Sequence, residues 1–216
     1  MRVAIVGAAG KVGRLTVAAA SAAGHDTVAI ARDPGRIPDL AKPNSFRRAS
    51  ADVLDRDALI RALEGTDAAI ATFGAPLTID TILHVPDLCE RGTRNLLEAM
   101  RINSVRRLIC MTAIGVGESK GHGRWIFRNV VQPALLQRIF TDRERQEVLV
   151  RESDTRWTIV RPAELTDGPE HPIRVVDLSE PSESEPSTVS RTSVANFLVR
   201  ELESEVYVGR CPVVTE

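Results

Sequence analysis

A doubly wound α/β fold, with a mostly parallel sheet covered by helices on both faces, is predicted by three features of this 216-residue sequence. Apolar runs of strand length alternate with longer helical patterns from the start. The strand-like runs are nearly continuous in apolar residues, as parallel strands buried on both faces are. A glycine-rich turn separates the first strand from the first helix, and no internal repeat or second core follows. One domain over residues 1–216 is expected.

Each element has its own signal. Val3–Val6 is a β-rich run ending in glycine, and Val12–Ala23 has helical composition closing at Gly24. Thr27–Ala31 reads as the second strand and Ser45–Ala49 as a weaker third. Asp55–Leu63 reads as a helix, with Gly65 just beyond it, and Ala68–Phe73 as the fourth strand. Val85–Arg101 is a long amphipathic helix apart from its early Pro86, and Arg107–Met111 is the fifth strand. The second half is less regular. Trp125–Phe140 and Thr141–Arg151 have helical patterns, with Pro133 allowing a break. Trp157–Val160 is a sixth strand stopped by Arg161-Pro162. From Asp167 to Ser190 the composition shifts to Pro, Ser, Glu and Asp, which reads as an extended surface excursion. Ile173–Leu178 within it has strand character. Thr192–Glu201 is a closing helix and Val206–Val208 a late strand.

Composition excludes several classes. Lys and Arg number 28 against 29 Asp and Glu, so there is no electrostatic footprint for nucleic acid or an anionic membrane. Cys89, Cys110 and Cys211 have neither metal-site nor disulfide spacing, and are expected to be buried free thiols in a reducing compartment. No apolar stretch approaches the ~20 residues that span a bilayer. A cytoplasmic protein without a metal is expected; oligomeric state is not legible.

Gly7, Gly10 and Gly13 follow a strand and open a helix, the setting in which a glycine motif has meaning. Gly7 permits the tight turn, Gly10 lets backbone approach a pyrophosphate, and Gly13 allows close packing of the helix on the strand. The pyrophosphate of a dinucleotide then meets the free N–H groups of the helix N-terminus. Gly7, Ala9, Gly10, Lys11, Val12 and Gly13 are the expected cofactor-binding set of this Rossmann-type turn, whose spacing is GxxGxxG.

Arg32-Asp33 ends the second strand, where a carboxylate would bind ribose hydroxyls and a guanidinium a 2′-phosphate. Arg32 favours NADP(H) over NAD(H); Asp33 either supplies the acid or caps the next turn. Asp52 and Val53 suit the adenine edge, by carboxylate and backbone respectively, with a turn or cap role open for Asp52. Phe73 and Gly74 lie where ligands meet open α/β sheets, and Gly74 is either a ribose-contacting or a plain turn glycine.

The tyrosine–lysine pair of an ordinary short-chain dehydrogenase is missing. Tyr207 is the one tyrosine, Lys11, Lys42 and Lys120 are the only lysines, and no YxxxK can be formed. Thr112, just past the fifth strand, can orient a nicotinamide amide or a substrate carbonyl, or merely close a local turn. A hydroxyl of ordinary pKa is a poor general acid at neutral pH. His122, in a Gly-rich loop, is either a surface residue or the nearby group suited to proton transfer.

The turn GAAGKVG, the segments ARDPGRIP and ADVLD, the helix ERGTRNLLEAM, the strand end CMTAIG and the stretch WTIVRPAELTDGP occur in one order. Together they resemble the atypical short-chain dehydrogenases/reductases of the NAD(P)-binding, NmrA-like class, over nearly the whole chain. The resemblance implies NADPH bound across the sheet, Arg32 at its 2′-phosphate, and Thr112 where the family has a Ser. It implies hydride delivery to a conjugated small-molecule acceptor, such as a flavin (flavin reductase activity), a quinone or a linear tetrapyrrole, in a site formed by the C-terminal half. Such acceptors collect their proton from solvent, which suits a chain without a Tyr-Lys pair. Ala9 departs from a Thr often found in the turn, and the Gly115–Arg124 loop need not form the same pocket. Two other readings of the scaffold are a non-catalytic NADP-binding redox sensor of the NmrA type and a specialised biosynthetic reductase or isomerase.

Overall fold

In the computed structural model, residues 1–39, 45–74, 87–119, 137–176 and 187–216 are described. Strand β1 (Arg2–Val6) leads through helix α1 (Lys11–Ala22) to β2 (Asp26–Ala31) and β3 (Phe46–Ser50). Helix α2 (Arg56–Ala62), β4 (Ala68–Ala71), α3 (Leu88–Ile102) and β5 (Arg107–Met111) follow. The second half comprises α4 (Gln137–Arg151), β6 (Arg156–Pro162), β7 (Glu164–Thr166), β8 (Arg174–Val176), β9 (Thr188–Ser190), α5 (Arg191–Ser204) and β10 (Val213–Thr215).

Eight strands form one sheet in the order β3-β2-β1-β4-β5-β6-β10-β8, and β7 pairs with β9 separately. All pairings in the large sheet are parallel except β10 with β8. The Rossmann-type doubly wound fold expected from the sequence is therefore the fold observed. Strand alternation divides the core. Val3, Ile5, Ile70 and Ile109 face a cluster with residues of α1 and α5, such as Val17 and Leu198. Ala4, Val6, Ala69 and Leu108 face Leu59, Leu96 and Val150 on the other side. The chain winds from β1 towards β3 and then returns through β4 in the opposite direction. The β1/β4 junction is thus the switch point at which such sheets bind ligands.

Several boundaries differ from the sequence reading. Val206–Val208 is a turn, not a strand: it ends at Gly209 with φ 72°, and Val206 is exposed. The last strand is instead β10, four residues after Gly209. Arg161-Pro162 does not stop β6. The Arg161 and Ala163 amides donate to Pro212 and Val214 on the β10 side, so the missing N–H of Pro162 falls on the other side, beyond the end of β5. Helix α4 runs unbroken through Phe140-Thr141, and residues 125–136, with Pro133, lie outside the described residues. The long helix begins at Leu88, and Val85 and Pro86 also lie outside them. The expected strand in 173–178 is β8, up to the last described residue of that stretch.

One buried ion pair ties α5 to the sheet. The Arg107 guanidinium donates to the Glu201 carboxylate at 3.0 Å and its carbonyl at 2.9 Å, and to the Thr158 hydroxyl at 2.9 Å. Replacing Glu201 with Ala leaves this buried guanidinium with only the longer 3.9 Å ion pair to Glu205, and is expected to cost about 3 kcal/mol. Urea unfolding checks it, with the exposed Glu98→Ala expected to change stability little.

Candidate cofactor and acceptor site

Because β1 to β5 are parallel, their carboxyl ends share one edge of the sheet. That edge collects the Gly7–Gly13 turn, Arg32, Asp52-Val53, Phe73-Gly74 and Thr112. The turn is shaped by close backbone contact. Gly7 has φ 90°, and a Cβ there would lie 2.7 Å from the Phe73 nitrogen. A Cβ on Gly13 would run into the Gly7 carbonyl oxygen and come within 2.9 Å of the Ala8 Cα. Gly13 therefore packs the helix onto the turn itself rather than onto the strand. Gly10 is extended, φ −72°, and is the N-cap of α1.

No side chain caps α1, and its first turn holds no acid. The N–H groups of Lys11, Val12 and Gly13 open the helix, and its dipole end is left unneutralised from within. These residues fit the pyrophosphate of a dinucleotide, because the one chemistry such an end favours is an anion. Lys11 reaches outward to Asp167 at 3.1 Å, and Asp167 also receives Arg191 at 2.7 Å. Ala9 is partly buried and its carbonyl accepts from the Arg14 Nε.

Asp33 is a cap: its carboxylate accepts from the Gly35 amide at 3.1 Å and opens a short 3-10 turn. Arg32 beside it is exposed. Asp52 also closes a turn, with Oδ1 accepting from the Leu54 amide at 2.9 Å, so the turn role holds for one of its oxygens. The Val53 carbonyl is taken by the Asn95 amide at 3.0 Å. Phe73 is buried against Gly7. At Gly74 the neighbour is the Arg143 guanidinium of α4: a Cβ there would collide with Nη2 and lie 3.1 Å from the guanidinium carbon. His122 lies outside the described residues.

Thr112 is buried, and its hydroxyl donates to Glu147 Oε1 at 2.8 Å. Glu147 is met by Arg161 through both oxygens, Nε to Oε1 at 3.0 Å and Nη2 to Oε2 at 2.6 Å. The same Arg161 nitrogen reaches Glu118 at 2.6 Å, and Arg151 binds Glu118 through two nitrogens at 2.6 and 2.7 Å. Arg161 and Glu147 are only 1% and 3% exposed in their side chains, which makes this a buried network. A carboxylate so paired can only accept, so the Thr112 proton is committed to it. The Thr112 oxygen then faces any ligand as an acceptor. Arg151 holds the Glu118 carboxyl far below its usual range, with Arg161 acting in the same direction. Burial works to lower the Arg161 pKa, but Glu147 and Glu118 outweigh it and the group stays charged. Burial pushes the Cys110 thiol up beyond reach of ionisation.

Sequence reasoning missed this network. Arg161 read as part of a strand stop, and Glu147 was not singled out. The only hint was an arginine inside an apolar strand.

Tyr207, the one tyrosine, lies at the opposite edge of the sheet, beside the amino end of β6. Its amide bonds Glu201, and the Gly209 amide in the same turn bonds Trp157. A cavity of about 1030 Å³ between α3 and α4 also opens on that far side, lined by Ser104–Arg106 and Glu152–Thr155. Among the described residues no cluster could hold a metal ion, and no helix is long and apolar enough to cross a membrane.

Comparison with known proteins gives the family and the fold. The NAD(P)H-binding family model matches residues 7–205, and the chain belongs to that family. A 3-diazoavenalumate denitrifying reductase of Streptomyces sp is 31% identical over 121 residues, covering 52% of this chain. The match spans 38% of that protein's length. An NADP complex of a short-chain dehydrogenase/reductase from Veillonella parvula DSM 2008 superposes with a TM-score of 0.80 at 18% identity, covering 100% of this chain and 94% of that one. ChuY, an anaerobillin reductase from Escherichia coli O157:H7, has a TM-score of 0.80 at 20% identity, with 100% and 97% covered. Both share the Rossmann-type fold with this chain.

Because the Glu118 carboxyl is lowered, its stabilising contribution is full above the ordinary glutamate range and is lost as pH falls through the folded-state value. Glu118→Gln is expected to destabilise the protein at pH 7 by less than about 1 kcal/mol, because the group is largely exposed, and so to lower Tm slightly. The gap should close as both proteins are acidified below pH ~4. Thermal unfolding across pH, followed by circular dichroism, checks it.

Proposed function

We propose that this chain is an NADPH-dependent oxidoreductase that reduces a conjugated, electron-poor small molecule of the flavin or quinone kind without a Tyr-Lys pair. One observation carries the reading. The glycine turn, Phe73-Gly74 and Thr112 share one edge of the sheet, whereas the only tyrosine belongs to the other. The edge therefore offers binding and orientation rather than a proton relay.

In this reading the α1 N-terminus holds the pyrophosphate, and Arg32 holds the 2′-phosphate. Asp33 gives one oxygen to the cap of the next turn, and the Arg32 guanidinium beside it is the group that favours NADP(H). Asp52 keeps one oxygen for the adenine edge, with Val53 beside it. Thr112, its proton given to Glu147, accepts from the carboxamide and orients the ring. The cofactor supplies a hydride when bound. Residues of the C-terminal half, on α4 and around the end of β6, wall the acceptor and hold it close, and proximity supplies most of the rate. Relatives with reductase names lend the chemistry support: the Streptomyces protein and ChuY are both called reductases.

Purified protein with NADPH and a panel of flavins and quinones tests the reaction by loss of 340 nm (roughly the nicotinamide band) absorbance. Tight NADPH binding without oxidation across the panel would overturn the enzyme reading and leave a redox sensor. Arg32→Ala should weaken NADPH by about tenfold or more and NADH hardly at all, as titration would show; equal weakening would remove the 2′-phosphate role. Thr112→Val should lower kcat with little change in cofactor Kd, whereas unchanged turnover would reduce Thr112 to a structural residue.

A further inference from the structure

The charges around Thr112 do not cancel. Glu118 and Glu147 together face Arg151 and Arg161, two carboxylates for two guanidinium groups. Arg143 comes to the same edge from the same helix, one turn before Glu147, and brings a third guanidinium. Its Nη1 donates to the Met111 carbonyl at 3.0 Å and to Gln146 Oε1 at 3.3 Å. Both acceptors are neutral. No carboxylate among the described residues forms an ion pair with it. The adjacent Asp142 is turned away, its oxygens accepting from the Cys89 and Glu90 amides at 2.8 Å.

Its position is as telling as its charge. Nη1 is anchored on the last residue of β5, next to Thr112, while Nη2 lies over Gly74 at the end of β4. The missing side chain at 74 makes the room, which gives that glycine a purpose besides turning. A partly buried guanidinium with one nitrogen fixed and the next without a hydrogen-bond partner among the described residues is a preformed donor for an anion. The α1 N-terminus follows β1, the neighbour of β4 in the sheet, and already suits the cofactor phosphates.

We propose that Arg143 is the specificity-determining residue for the acceptor, selecting conjugated compounds that carry a carboxylate. The inference rests on the reductase reading above. Nη2 receives the carboxylate while the bond to Met111 keeps the guanidinium level with Thr112, so the anion fixes which part of the acceptor lies over the reacting edge. An uncharged acceptor of the same shape loses that anchor and binds in several orientations.

The test uses acceptor pairs that differ only in charge: biliverdin against its dimethyl ester, and FMN against riboflavin as a phosphate control. Each is titrated by fluorescence quenching into protein saturated with NADP⁺, where no turnover occurs. Wild-type protein should bind biliverdin about tenfold more tightly than the ester, with a smaller gap for the flavins. Arg143→Gln should erase the biliverdin gap and leave the NADP⁺ Kd within about twofold, and Arg143→Lys should keep part of the gap. Equal wild-type affinity for acid and ester would overturn the proposal, and that result needs no variant to fold. A gap that survives in Arg143→Gln while NADP⁺ binding falls would assign the guanidinium to a cofactor phosphate instead. Reduction of neutral and anionic members at equal kcat/KM would sink this inference but not the reductase reading. Failure to bind or reduce any member would sink both.

Discussion

The carbonyl oxygen of Gly7 occupies the place that a side chain at residue 13 would need. Strand β1, the turn and helix α1 are locked together by that contact, and much of the site follows from it. Gly7 takes a positive φ to turn the chain, and its amide and that of Ala8 both donate to the Ile30 carbonyl on β2. Phe73 closes over the turn from β4, with Thr72 tied to the Val6 carbonyl by amide and hydroxyl. Helix α1 is thereby aimed with its uncapped end at the β1/β4 switch point. A larger residue at 13 would tilt that end away, even if the fold survived.

The second constraint lies across the sheet, where α4 meets the ends of β5 and β6. A buried ion pair costs desolvation, and its geometry must be good to compensate. Arg161 and Glu147 achieve this with two hydrogen bonds, extended by Glu118, Arg151 and Thr112. The pair fixes the rotation of α4, and so it fixes which α4 side chains reach the carboxyl edge. Arg143 stands there because Glu147, one turn along, is pinned. The network also explains how a chain without a Tyr-Lys pair can keep a polar group in register beside the proposed cofactor position. Thr112 is held through its proton, not through its acidity.

Much of this architecture was legible in the sequence, because parallel strands buried on both faces leave long apolar runs between helices. The extents of β1, β2 and β5, and the glycine turn, could be read almost to the residue. Val206–Val208 misled because a β-branched pair around an aromatic has strand composition wherever it lies. Only the tertiary pairing of β6 with β10 chose Val213–Thr215 instead. Pro162 misled for a related reason: a proline breaks a ladder only when its nitrogen faces a partner. The elements of the proposed cofactor half were legible because its residues lie in local motifs. The acceptor half was not. Glu147 and Arg161 are 14 residues apart, and Glu118 is 43 from Arg161, so only folding brings them together. Asp33 and Asp52 show the converse, since both acids of interest serve local turns with at least one oxygen.

The central claim is that dinucleotide binds at the carboxyl edge, with its pyrophosphate on the amides that open α1. Hydrogen–deuterium exchange with and without NADP⁺ tests this most directly. Bound cofactor should slow exchange in peptides covering Gly7–Gly13 and Phe73-Gly74, while Ser104–Arg106 and Glu152–Thr155, which line the cavity at the other edge, stay unchanged. Protection at that far cavity, with none at the glycine turn, would contradict the account.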